Sequence, residues 1–120
     1  MKAILVVDDD PAVGEALAIY LTAEGYRTQI ATNGREALAA MRDDGFVPDL
    51  VVTDIVMPEM DGTALMAEMK RDPRLETIPV LLMTGAPAFA RDAPRDAPIV
   101  LKKPIGLDAM LGIIDQLIGR

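Results

Sequence analysis

Short apolar runs alternate with amphipathic stretches along the whole chain. Ala3-Ile4-Leu5-Val6-Val7, Leu50-Val51-Val52-Thr53, Ile78-Pro79-Val80-Leu81-Leu82-Met83 and Ile99-Val100-Leu101 are continuous and rich in β-branched residues. Runs of that kind suit strands covered on both faces, which means a parallel sheet. Arg27-Thr28-Gln29-Ile30-Ala31 is more polar and reads as an edge strand. Between the strands lie helical patterns. Val13, Leu17, Tyr20 and Leu21 share one face of a first helix, opened by Asp10-Pro11 as cap and first-turn proline and closed by Gly25. Asn33 followed by Glu36 resembles a capping box and opens a second helix through Ala37, Leu38 and Met41. Ala64, Leu65, Met66 and Met69 belong to a third, which stops before Pro73, and Leu107, Met110, Leu111, Ile114, Leu117 and Ile118 form the last. Strand-helix alternation predicts an α/β fold, a doubly wound parallel sheet with helices on both faces and right-handed crossovers.

The segment 85–98 breaks the pattern. Pro87, Pro94 and Pro98 leave room for about two helical turns, since an interior proline costs ~3 kcal/mol. A short or irregular helix, fourth in chain order, is expected there.

Composition narrows the chemistry. At 120 residues the chain suits one domain, 1–120, and with 51% hydrophobic and 26% charged residues it can bury a core without staples. Its formal charge of −7 repels a phosphate backbone and disfavours direct nucleic-acid binding. There is no Cys and no His, which removes disulfides, thiolate nucleophiles, His-based triads and the commonest metal ligand. No leader opens the sequence and no apolar run reaches ~18 residues, so a soluble cytoplasmic protein away from membranes is expected.

Function is decided beyond the carboxyl ends of the strands, where open α/β sheets bind their ligands. The first strand runs into Asp8-Asp9-Asp10, the third into Asp54, the fourth into Thr84 and the fifth into Lys102-Lys103. A doubly wound topology brings all four ends to one edge. Carboxylates 4 Å apart repel by ~4 kcal/mol at an effective dielectric of 20, so Asp8, Asp9 and Asp54 need a cation. Oxygen ligands without His or thiolate favour Mg²⁺ or Mn²⁺. Lys103 adds a point charge and Thr84 a hydroxyl for an anion held there. The set points to phosphoryl transfer with a carboxylate as acceptor.

These residues carry a resemblance. Val6-Val7-Asp8-Asp9-Asp10, the segment Asp54-Ile55-Val56-Met57-Pro58-Glu59-Met60-Asp61-Gly62, the strand Pro79-Val80-Leu81-Leu82-Met83-Thr84-Gly85 and Lys103-Pro104 resemble, in that order, the receiver domain of two-component response regulators. The resemblance covers essentially the whole chain. It implies the flavodoxin/CheY-like five-stranded sheet of order 2-1-3-4-5. It makes Asp54 the phosphoacceptor, served by a sensor histidine kinase or phosphotransfer protein and answering to a downstream protein target. Asp8 and Asp9 are then expected to hold Mg²⁺ with Asp54 and the Val56 backbone carbonyl, Asp9 more directly. Thr84 and Lys103 are expected on the phosphoryl oxygens, and Lys103-Pro104 is expected cis. Such a domain is a signalling phosphoacceptor and not an enzyme acting on outside substrates.

Two departures stand out. Val100 occupies the position three before Lys103 where the family usually has Tyr or Phe, and the segment after Thr84 is short and proline-rich. Both resemble a receiver subgroup with a degenerate fourth helix. The expectation is that phosphorylation orders or shifts residues 85–98 instead of swinging an aromatic ring.

Plainer readings apply nearby. Asp10 reads as a helix cap and Asp61-Gly62 as a turn and cap. Gly85 either admits the phosphodonor or simply makes a turn. Lys102 reads as a surface charge, and the methionines as core filling. Two other functions use the same residues. A haloacid dehalogenase-like Mg²⁺-dependent phosphohydrolase fits Asp8-Asp9-Asp10, Thr84 and Lys103, but lacks a later acidic motif beyond Asp108 and Asp115 and leaves Asp54 without a role. A receiver-like interaction module that is never phosphorylated would usually have lost one of the acidic, acceptor or lysine positions. The chain ends just after its last helix, so a stand-alone receiver, or the receiver piece of something longer, is expected.

Overall fold

The computed structural model describes residues 1–84, 99–102 and 106–119, with the side chains of Ile99 and Lys102 excepted. Five strands, β1 (Ala3–Val7), β2 (Arg27–Ala31), β3 (Leu50–Asp54), β4 (Val80–Thr84) and β5 (Ile99–Lys102), form one sheet of order β2-β1-β3-β4-β5. Every neighbouring pair is parallel. The helices described are α1 (Pro11–Ala23), α2 (Gly34–Arg42), α3 (Gly62–Lys70) and α4 (Leu107–Ile118). No described helix is long and apolar enough to cross a membrane. The expected helix within 85–98, Gly85, and Lys103 with its expected cis bond to Pro104 lie outside the described residues.

The apolar runs are continuous because the sheet has a core on each face. Leu5, Val7, Val51, Val80 and Leu82 point to one face, where Leu38, Met41, Leu65, Met66 and Met69 of α2 and α3 cover them. Ile4, Val6, Leu50, Val52, Leu81 and Met83 point to the other, covered by Leu17, Leu21, Tyr26, Met110, Leu111 and Ile114. Strand periodicity sends alternate side chains to the two cores, so no position in β1, β3 or β4 is left to water. β2, at the edge, is the polar exception expected of it. Val100 of β5 is partly buried against the α2–α3 core.

Caps set where helices begin. Asp10 accepts from the Ala12 amide ahead of Pro11, and Asp61 accepts from the Ala64 amide, as caps do. Asn33 accepts from the Glu36 amide at 2.9 Å. The return bond of the box goes one residue further back, from the Thr32 amide to Glu36 at 2.9 Å, and that amide holds the Glu36 carboxyl below the usual range. Gly25 ends α1 with a φ of 100°.

Three details differ from the sequence reading. Val13 is 46% exposed, and α1 turns Gly14, Leu17, Ala18 and Leu21 inward instead. β4 begins at Val80, because the Ile78 amide is used by the Leu75 carbonyl in the preceding turn. In α4, Leu107 is 43% exposed, and Met110, Leu111 and Ile114 form the buried stripe.

Candidate functional site

Register fixes the site. β1 and β3 are neighbours with Val7 opposite Thr53, so the next residues, Asp8 just past β1 and Asp54 at the end of β3, stand side by side. Asp8 is 2% exposed and Asp54 is 7% exposed, both unusual burials for carboxylates. Asp9 follows in the turn and is exposed. One carboxylate oxygen each from Asp8, Asp9 and Asp54 lies within 4.8 Å of the others. At that separation each pair repels by roughly 3–4 kcal/mol for an effective dielectric of 20. Three hard oxygen donors at this spacing fit a small divalent cation, and Mg²⁺ suits a site that keeps several waters.

Asp8 also has a local role. Its Oδ1 accepts from the Asp10 amide at 2.9 Å, and its own amide donates to the Ala31 carbonyl at 3.0 Å. Those bonds fasten the turn out of β1. The Asp10 Oδ1 is used by the Ala12 amide at 3.0 Å, which makes Asp10 a cap and separates it from the acidic group.

Thr84 ends β4, one step past Met83, which pairs with Asp54 in the β3–β4 register. It is 3% exposed, and it pairs with Lys102 across β4–β5. Four strand ends therefore meet at one edge, as the topology requires. Lys103 follows directly in sequence but lies outside the described residues.

The loop after Asp54 is tightly built. Ile55 donates its amide to the Met83 carbonyl at 2.9 Å and accepts from the Gly62 amide at 2.8 Å. Val56 stands 56% exposed on this loop beside the acids. Glu59 takes the left-handed conformation with φ 64°, a strain that non-glycine residues rarely carry. The Met60 carbonyl then accepts from the Gly34 amide at 3.0 Å, fastening the loop to the start of α2. A β-carbon at Gly34 would come within 2.6 Å of the Met60 side chain, so the glycine is needed for that approach. Asp61 caps α3 and takes no part in the acidic group.

Two contributors escaped the sequence reading. Thr53, fully buried, donates its hydroxyl to the Asp54 carbonyl at 2.9 Å. Gly62 packs its backbone against that same carbonyl. A hydroxyl inside an apolar run, immediately before an acid at a strand end, was the available signal for the first. The second had none, because a capping aspartate followed by glycine explains itself locally.

Comparison with known proteins agrees with this geometry. The response regulator receiver domain family matches residues 4–115. The response regulator MprA of Mycolicibacterium vanbaalenii is 37% identical over 98% of this chain and 50% of its own. The chain thus spans half the length of that curated relative. Among solved structures, the signal receiver domain of a signal transduction histidine kinase from Syntrophus aciditrophicus is similar at TM-score 0.87 and 36% identity, covering 98% of this chain and 90% of that one. The response regulator protein TrrA from Thermotoga maritima, solved in complex with Mg²⁺ and BeF, is similar at TM-score 0.84 and 31% identity, covering 98% and 99%.

Proposed function

The chain belongs to the response regulator receiver domain family, and on that premise we propose that it signals by reversible phosphorylation of Asp54. One observation carries the reading: carboxylate oxygens of Asp8, Asp9 and Asp54 converge within 4.8 Å at the strand edge where Thr84 also ends. A structural role does not account for three acids gathered at mutual repulsion, two of them buried.

In this reading an Asp54 carboxylate oxygen attacks the phosphorus of a phosphohistidine. The O–P bond forms as the N–P bond breaks, and the bonding pair leaves with the imidazole nitrogen of the donor. Asp8, Asp9, Asp54 and the Val56 carbonyl would hold Mg²⁺, which when bound offsets charge on the phosphoryl oxygens. The buried Thr84 hydroxyl would donate to one of those oxygens and Lys103 would meet another, both roles carried by the family resemblance. Burial of Asp54 keeps its carboxylate poorly hydrated and its direction fixed, which favours in-line attack.

Residues 1–120 act here as one receiver domain. A sensor histidine kinase or a phosphotransfer protein supplies the phosphoryl group, and a protein target in the cytoplasm reads the result. The chain works as a phosphoacceptor without an outside substrate, and its net charge of −7 argues against direct contact with DNA. The phosphohydrolase alternative would use Asp8 and Asp10 together, but Asp10 is committed to the Ala12 amide.

The test is direct. Wild type and Asp54→Asn are incubated with acetyl phosphate and Mg²⁺ and their intact masses measured. A single phosphoryl adduct on wild type, absent from Asp54→Asn and absent without Mg²⁺, is expected. An equal adduct on both proteins would overturn the assignment of Asp54. If wild type takes no adduct, beryllofluoride binding separates a receiver selective for its kinase from a module that signals unphosphorylated.

A further inference from the structure

Thr53 is polar where an apolar residue would be the default. It follows Val51 and Val52 in β3 and is 0% exposed. Valine has the same shape and no hydroxyl to satisfy, and a buried hydroxyl is unfavourable unless hydrogen-bonded. Here the hydroxyl has a specific use. It donates to the carbonyl oxygen of Asp54 at 2.9 Å and lies 3.8 Å from the sulfur of Met57. One side chain therefore bridges the two ends of the segment 54–57, and Val56 lies between them. The surrounding backbone is held as well, through Ile55 to Met83 and Gly62 to Ile55. The Asp54 carbonyl itself also packs against Gly62.

We propose that Thr53 is a positioning residue for the acidic site, its buried hydroxyl fixing where the Asp54 carboxylate and the Val56 carbonyl stand relative to each other for a divalent cation. The inference rests on the proposed function, which makes both groups ligands. Thr53 does not touch the cation or the phosphoryl group. It acts only through the Asp54 carbonyl and the Met57 side chain, which flank Val56.

Mg²⁺ alone is titrated into the ¹⁵N-labelled full chain and its affinity read from amide shifts at the strand edge. Thr53→Val keeps the shape and removes the hydroxyl, and Thr53→Ser keeps the hydroxyl and removes a methyl group. Loss of one hydrogen bond is expected to weaken Mg²⁺ binding about fivefold in Thr53→Val, with Thr53→Ser within about twofold of wild type. A packing role predicts the opposite order, with Val equal to wild type and Ser weaker, and that order would overturn the proposal. Equal weakening in both variants overturns it too. Should Thr53→Val lose the fold, Thr53→Ala against Thr53→Ser makes the same comparison, and equal affinities there would sink the idea. Wild type that binds no Mg²⁺ at this edge defeats the proposed function, whereas wild type that binds while Thr53→Val is unchanged defeats only the role of Thr53.

Discussion

A β-carbon on Gly62 would stand 2.2 Å from the carbonyl oxygen of Asp54, so the first residue of α3 and the last residue of β3 touch backbone to backbone. Because the obstacle is main chain, no rotamer change relieves it. Gly62→Ala is expected to lose roughly 1–3 kcal/mol, the usual range for overpacking, seen as a lower urea midpoint. Gly112→Ala supplies the contrast. That glycine lies inside α4, where an added β-carbon would meet no atom of another described element within 4 Å, so alanine is expected to gain about 0.5–1 kcal/mol of helix propensity. Equal effects at the two sites would contradict the close packing at Gly62.

Mg²⁺ binding should be visible as stability. A cation held by the three converging carboxylates would favour the folded chain over the unfolded one, so wild type is expected to gain about 2.7 kcal/mol at 100 times its dissociation constant. Asp9→Asn neutralises the exposed member of the acidic group with little disturbance of the core. Thermal melts at constant ionic strength are expected to show a Mg²⁺-dependent rise in wild type and a much smaller one in Asp9→Asn. The same rise in both would remove Asp9 from the site.

Acid should weaken one corner of the fold selectively. Asp72 accepts from the Arg74 backbone amide at 2.9 Å and from the Arg74 and Arg42 guanidinium groups at 3.1 Å. The Arg74 side chain first, then its amide, lower the Asp72 pKa from its ordinary 3.8 to about 2. A depressed folded-state pKa stabilises fully above the unfolded value and loses that contribution as pH falls through the folded value. The stability gap between wild type and Asp72→Asn is therefore expected to be full at neutral pH and to shrink from about pH 3.8 down through about pH 2. A gap that stays constant over this range would mean that the carboxylate is not held by the arginines.

The two tyrosines of the chain both donate to aspartates of α4. Tyr26 reaches Asp115 at 2.5 Å and Tyr20 reaches Asp108 at 2.7 Å. Tyr26 is 1% exposed, whereas the Tyr20 bond is open to water. Tyr26→Phe is expected to lower stability by about 1–2 kcal/mol, and Tyr20→Phe by less than ~1 kcal/mol. Chemical denaturation of the two variants checks the order, and a larger loss at Tyr20 would contradict it.

Much of this was legible because local and global signals agreed. Uninterrupted runs such as Ile4 to Val7 announce strands with a core on both faces, and Asp10, Asn33 and Asp61 announce helix starts. The acids at 8, 9 and 54 stand out once parallel strands are assumed, since topology alone brings their ends together. What stayed hidden depends on small groups or distant partners. Gly14 and Ala18 carry little weight in an apolar pattern, so the sequence pattern counts Val13 with Leu17 and Leu21 on the buried α1 face in their place. The Asp72 carboxylate meets Arg42 from another helix, and Tyr26 meets Asp115 from the far end of the chain. Neither pairing leaves a trace in residue spacing.

The pairing of β1 with β3 also governs when the acidic site can exist at all. Asp8 and Asp54 become neighbours only after a long crossover through β2 and α2 has closed and the central strands have found their register. A slip of one residue would turn every side chain of β3 to the wrong face and carry Asp54 away from Asp8. A partly folded or misregistered chain therefore offers no cluster of acids to a kinase or a cation. The acidic site is thus a property of the paired sheet and not of either strand, and an intact site reports that β1 and β3 stand in register.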